Sequence, residues 1–131
     1  MNHVLNDLIK EALSENTYKL TRLQATALLL LESTGKLSMS EIAQYLSISR
    51  PNTTPIIQKL SQLGYVKRLL NPDDQRIVLV SISDTGHDVS CEIKADTIRF
   101  INKKLKHLSA NESSELAAAL QSSLYLLTKA L

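Results

Sequence analysis

The sequence predicts a mainly α-helical fold that carries one small antiparallel β-hairpin. Two observations predict it. Apolar residues recur at helical spacing from about residue 3 to 63 and again from about residue 84 to the end, and a β-branched stretch split by turn formers lies between them. A length of 131 residues bounds the chain to one domain with helical extensions, and 44% hydrophobic residues suffice for a core.

Val4, Leu5, Leu8, Ile9, Ala12 and Leu13 share one face of a first helix, about residues 3 to 15. Thr21 can cap a second helix, which ends near Gly35. Leu23, Ala27, Leu30 and Leu31 line one side of it and Leu28 and Leu29 the other, so it is expected to be buried nearly all round. A short third helix is expected after Ser40, with Ile42, Ala43 and Leu46, broken by Ser47-Ile48-Ser49. Ser49 is a good N-cap for a fourth helix with Pro51 in its first turn, where a missing N–H costs nothing. Ile56, Ile57, Leu60 and Leu63 are its apolar positions, and Gly64 ends it.

The period then changes. Tyr65 to Leu70 reads as a strand, Asn71-Pro72-Asp73-Asp74-Gln75 as a turn, and Arg76 to Ile82 as a second strand. Leu37 to Met39 can add a short third strand. Ser83 or Asp84 caps a long helix with Val89, Ile93, Phe100, Ile101, Leu105 and Leu108 on its apolar side. Ser109 caps the last helix, with Glu112 three residues on in a capping box, and Leu116, Leu120, Leu124, Leu127 and Leu131 follow at helical spacing.

The middle of this order is that of a winged helix-turn-helix. Such a motif needs a small residue where its two helices cross, and Ala43 fits; Leu46 and Ile48 supply the apolar residues below the turn. Its second helix needs a polar N-terminal turn free to enter a groove, and Arg50-Pro51-Asn52-Thr53-Thr54 supplies one. Charge agrees in sign. The net charge is only +2, but residues 47–80 carry five basic side chains against two acidic. The terminal helices carry leucine stripes outside this small core. They pack on one another or on another copy, and a symmetric dimer is the economical answer. The expected organisation is one domain, 1–131, with a winged lobe over 20–86 and a helical dimerisation lobe from 1–19 and 87–131.

Other classes are disfavoured. No apolar run approaches the roughly 20 residues of a membrane span, and the N-terminus lacks the pattern of a signal peptide, so a cytoplasmic protein is expected. There is no Gly-x-Ser-x-Gly, phosphate loop or paired metal motif, so neither an enzyme nor a cofactor is expected. Cys91 is read as buried and inert. His3, His87 and His107 are read as lacking a Cys or His neighbour at ligand spacing, so no metal site is expected.

Four passages, in order, resemble the multiple antibiotic resistance regulator (MarR) family of bacterial winged-helix repressors. Leu37-Ser38-Met39-Ser40-Glu41-Ile42-Ala43-Gln44-Tyr45-Leu46 is similar to the family's first helix of the DNA-binding motif. Ile48 to Leu60 is similar to its recognition helix, and Leu63-Gly64-Tyr65-Val66-Lys67-Arg68 to the entry into its wing. Asp74-Gln75-Arg76, followed by Val78 to Ile82 and Ser83-Asp84-Thr85-Gly86, resembles the wing signature. The resemblance implies a dimer on a near-palindromic operator, released in many members by a small phenolic molecule, an oxidant or a metal. Two features depart from the pattern: the first helix is shorter than usual, and Pro55 inside the recognition helix is expected to loosen its first turn.

On this reading Asn52, Thr54 and Gln58 approach base edges, and Pro55 meets a thymine methyl. Ser49, Arg50, Ser38, Ser40, Lys67 and Arg68 approach phosphates. Arg76 enters a minor groove, held by Asp74. Thr53 faces the core, and Gly86 lets the long helix approach the hairpin. Leu5, Leu8, Ile9, Leu116, Leu120, Leu124 and Leu127 form the dimer contact. The partners implied are double-stranded DNA, a second copy of the chain, and a small aliphatic or phenolic inducer bound between the lobes by parts of helices one, two and five. The alternative is a winged-helix protein–protein interaction module that does not bind DNA.

Overall fold

The computed structural model describes residues 2–130, with the side chains of Asn2, Leu5, Leu124 and Thr128 outside the described set. In chain order the elements are α1 (Asn2–Ser14), α2 (Arg22–Thr34), β1 (Leu37–Ser38), α3 (Met39–Leu46), α4 (Arg50–Gln62), β2 (Val66–Leu70), β3 (Val78–Ile82), α5 (Asp84–Leu105) and α6 (Ala110–Ala130). Every predicted element is present. The chain divides by its own contacts into a unit that ends at Ile98 and a unit that begins at Arg99. In the single chain, therefore, α1 and the first part of α5 belong with the winged body.

The helix starts follow from their caps. Thr21 and Gln24 form a reciprocal capping box on α2, as Ser109 and Glu112 do on α6. The third helix differs from expectation. It begins at Met39, before Ser40, because Ser38 is the N-cap and Glu41 returns its carboxylate to the Ser38 N–H at 2.9 Å. The break after it is sharp: Ser47 is left-handed (φ 54°), and Ile48 N–H donates to the Ala43 carbonyl at 3.1 Å.

The sheet order is β1-β3-β2, all antiparallel, with Leu37 opposite Val80 and Arg68 opposite Val80 on the other side. The hairpin tip runs from Asn71 to Ile77, longer than the expected five residues, because Arg76 and Ile77 lie in the turn and β3 starts only at Val78. Asn71 N–H donates to the Ile77 carbonyl at the base of this tip.

The core of the first unit is built from Leu28 and Leu31 of α2, Ile42 of α3, Ile57 and Leu60 of α4, Val80 of β3 and Ile93 of α5, all within 2% of full burial. Most of α2 from Leu23 to Glu32 is buried or half-buried, as its two apolar sides predict. Ala43 is buried, and Leu46 and Ile48 pack against the core below the turn. In the second unit, Leu105 and Leu108 with Leu116, Ala117 and Leu120 line a groove of about 380 Å³ between the end of α5 and α6. No described helix is long and apolar enough to cross a membrane.

Candidate nucleic-acid interface

Three chain segments meet at one surface of the first unit: the start of α3, the start of α4 and the tip of the hairpin. Ser38, Met39, Ser40, Arg50, Arg76, Ile77 and Val78 line a recess there of about 270 Å³. Each segment has a local reason to be there. The β1–β3 pairing puts Ser38 beside Leu79, which brings the start of α3 to the hairpin. The left-handed Ser47 turns the chain so that α4 begins next to α3.

The N-terminal turn of α4 is presented to solvent. The Ser49 hydroxyl accepts the Asn52 N–H at 3.3 Å, while Arg50, Pro51, Asn52, Thr54, Pro55 and Gln58 are all exposed. Thr53 alone in this turn is fully buried, and its hydroxyl donates to the Ser49 carbonyl at 3.1 Å. The Thr54 hydroxyl donates to the Arg50 carbonyl at 3.4 Å. Pro55 has no N–H for the Pro51 carbonyl, yet α4 runs without a break from Arg50 to Gln62. Pro55 thus does not break the helix: Ile56, Ile57 and Leu60 are buried on the opposite face.

At the hairpin tip, one oxygen of Asp74 accepts both the Arg76 backbone N–H at 3.1 Å and its Nε at 3.2 Å. The Arg76 side chain is 92% exposed, so the pair sets its direction without covering it. Ser38 and Ser40 differ in availability. The Ser38 hydroxyl accepts the Glu41 N–H at 3.2 Å, whereas Ser40 is exposed in the first turn of α3. Lys67 and Arg68 are both exposed on β2, but consecutive strand residues point to opposite faces. Arg68, opposite Val80, is on the core side of the sheet, and Lys67, opposite Ser81, is on the outer side.

The hairpin is tied to α5 at its base. The Ser83 hydroxyl donates to the Gly64 carbonyl and accepts the Gly86 N–H, and the Ser83 N–H donates to the Tyr65 carbonyl. A Cβ on Gly86 would stand 2.0 Å from the Tyr65 carbonyl oxygen, so only glycine fits. Gly64, at φ 77°, is the left-handed residue that ends α4.

Of the residues expected at a dimer contact, Leu8 and Leu116 are half-buried, while Ile9, Leu120 and Leu127 are 43%, 46% and 58% exposed. The side chains of Leu5 and Leu124 lie outside the described residues. Sequence reasoning did not single out Tyr125 and Leu126, which leave a further 65% and 62% of their surface uncovered on α6.

Cys91 is a correction. It is exposed, because α5 turns Gly86, Val89, Ser90 and Ile93 to the core and leaves Cys91 at the margin of that stripe. Close by, Glu32 of α2 is held by Lys94 in an ion pair and lies 3.6 Å from His87 Nδ1. The Lys94 hydrogen bond lowers the Glu32 pKa most; burial opposes it, and the charges of Lys94 and His87 add to the lowering.

The pattern that defines the MarR family matches residues 18–77. The chain is 28% identical over 99 residues to the HTH-type transcriptional regulator BilQ of Clostridioides difficile (strain CD3), covering 76% of this chain and 67% of BilQ. It is 33% identical over 66 residues to the uncharacterized HTH-type transcriptional regulator YfiV of Bacillus subtilis (strain 168), covering 50% of this chain and 41% of YfiV. Among solved structures, apo wild-type MarR from E. coli superposes with a TM-score of 0.80 at 26% identity, covering 94% of this chain and 90% of MarR.

Proposed function

The chain belongs to the MarR family of winged-helix, DNA-binding transcription regulators, which are not enzymes, and on that premise we propose that it is a homodimeric repressor of a near-palindromic operator. The observation that carries the reading is the shared surface of Ser40, Arg50 and Arg76, where two helix starts and an arginine-bearing hairpin tip converge. In this reading Asn52, Thr54 and Gln58 meet base edges in the major groove, and Pro55 packs on a thymine methyl. Arg50, Ser49, Ser40 and Ser38, at the starts of α3 and α4, hold phosphates. Lys67 adds a phosphate contact from the outer face of β2, with Arg68 acting from the other face. Arg76, steadied by Asp74, enters the flanking minor groove, where negative potential is deepest.

The dimer reading is supported by the uncovered apolar side chains of α6, which include Leu120, Leu126 and Leu127. Ile9, Leu8 and Leu116 add to the same contact, with the two-fold axis expected for such pairs. Two recognition helices would then stand about one turn of DNA apart, roughly 10 base pairs. A small aliphatic or phenolic inducer would release DNA by favouring another spacing, and a full swing needs about 5.5 kcal/mol of preference for that state.

Selection of bound sequences from random duplex DNA at physiological salt tests the reading. The expected result is a palindrome with half-sites about 10 base pairs apart. The affinity should fall with salt at a log–log slope of about −0.9 per phosphate neutralised. Recovery of no sequence, with no salt-dependent binding, would favour a protein–protein interaction module on the same scaffold.

A further inference from the structure

His87, Ser90, Cys91 and Lys94 recur at intervals of three and four along α5 and so form one stripe. Glu32 of α2 faces that stripe. One Glu32 oxygen, one ring nitrogen of His87 and the Cys91 sulfur lie within 4.8 Å of one another. His87 Nδ1 is 3.6 Å from Glu32 Oε1, and His87 Nε2 is 3.8 Å from Cys91 Sγ. From these distances we infer that Glu32, His87 and Cys91 form a binding site for a tetrahedral transition-metal dication, of which Zn²⁺ is the natural candidate.

The geometry is close to what such an ion demands. Zn²⁺ holds nitrogen and carboxylate oxygen at about 2.0–2.2 Å and thiolate at about 2.3 Å, which puts donors on a tetrahedron roughly 3.3–3.8 Å apart. Small rotations of two exposed side chains, His87 and Cys91, bring the three donors into that range. The donor set is also right in kind. A thiolate and an imidazole select a borderline-soft ion over Mg²⁺ or Ca²⁺, and a carboxylate completes a three-ligand site with a fourth position for water. Thiolate and carboxylate together cancel the charge of the dication, and the thiol proton leaves to solvent on binding.

A second observation points the same way. Ser90 Oγ, between His87 and Cys91 in the sequence of the stripe, is wholly buried, and among the described residues it has no hydrogen-bond partner. A buried hydroxyl left unpaired next to two donors on the same helix is available as the outer hydrogen-bond partner that metal ligands ordinarily have. Lys94 occupies the other side of Glu32 and competes with the ion for its charge. The sequence reading that His87 lacks a ligand neighbour is therefore corrected: Cys91 follows it by one helical turn, and the fold brings the third donor from α2.

Titration of the full chain with Co²⁺, the spectroscopic stand-in for Zn²⁺, tests the site, with no DNA present. One Co²⁺ per chain is expected, with a thiolate charge-transfer band in the near ultraviolet and the strong visible bands of a tetrahedral ion, both displaced by Zn²⁺. Cys91→Ser abolishes the charge-transfer band. His87→Ala and Glu32→Gln each weaken Zn²⁺ binding by about 100-fold or more, since even outer partners of metal ligands cost 10- to 100-fold. Lys94→Met tightens binding. Far-UV circular dichroism of each variant shows that the fold is retained. A thiolate band that survives both His87→Ala and Glu32→Gln would mean that Cys91 binds the ion by another route, and would overturn the site. So would the lack of any thiolate band at saturating Co²⁺.

Discussion

Asp74 Oδ1 stands 3.2 Å from Arg76 Nε and 3.1 Å from the Arg76 backbone N–H, so a single carboxylate oxygen sets both the turn and the direction of the arginine. An arginine so directed loses less freedom on binding than one on an open loop. Arg76→Ala is expected to weaken operator binding by roughly 1–3 kcal/mol and leave the oligomeric state unchanged. Asp74→Ala should give a smaller loss in the same direction. Fluorescence anisotropy with a labelled operator, beside sedimentation, measures both; unchanged affinity in Arg76→Ala removes the hairpin tip from the interface.

Asn52 and Lys67 should fail in different ways. Asn52→Ala is expected to relax base preference at one symmetric position, at a cost of roughly 1–3 kcal/mol. Lys67→Ala should weaken all sequences alike and reduce the salt slope by about one. Binding to a panel of single-base operator variants at several salt concentrations separates the two, and a uniform loss for Asn52→Ala would recast it as a phosphate contact.

Gly86 sits against the Tyr65 carbonyl, and an added methyl would stand 2.0 Å from that oxygen and 2.9 Å from Ile82 Cγ1. Backbone cannot move aside as a flexible side-chain end can. Gly86→Ala should therefore destabilise by about 3 kcal/mol or more, the upper range of overpacking. Urea denaturation reads this directly, and a loss under about 1 kcal/mol would show that the hairpin base yields easily.

Leu127 is 58% exposed on α6. A charge there is tolerable in a lone chain and intolerable in an apolar interface. Leu127→Asp is expected to leave helical content intact and shift sedimentation from dimer to monomer, with loss of operator binding. An intact dimer would move the interface off this part of α6.

Glu32 carries a pH signature. Its folded pKa lies below the ordinary carboxylate value, chiefly through the Lys94 hydrogen bond. The sign follows: the contribution is fully present above the unfolded value of about 4.3 and is lost as pH falls through the folded value. In the presence of a chelator, Glu32→Gln should melt below the wild type near neutral pH, and the gap should close below about pH 4. A gap that stays constant down to acid would mean that the Glu32–Lys94 pair does not stabilise the fold.

Much of this architecture was legible because its determinants are local. Thr21, Ser49 and Ser109 announce helix starts through groups three residues away, and Asn71 to Gln75 announces a turn through its own residue types. Arg76 was legible as well, since Asp74 lies only two residues before it. The third helix is expected after Ser40 but starts at Met39, because Ser38 caps it, and the signal was local: Glu41 stands three residues after Ser38, whereas Ala43 stands three after Ser40.

The chain by itself thus determined the order of its elements, their caps and the polar face of α4, all of which depend on neighbours within about one helical turn. Only the tertiary structure decided that Cys91 is exposed, that Arg68 and not Lys67 lies on the core side of the sheet, and that Glu32 of α2 meets His87 and Cys91 of α5. Those facts depend on strand register and on which helix faces are buried against each other. Packing between distant segments sets both, and no local spacing records them.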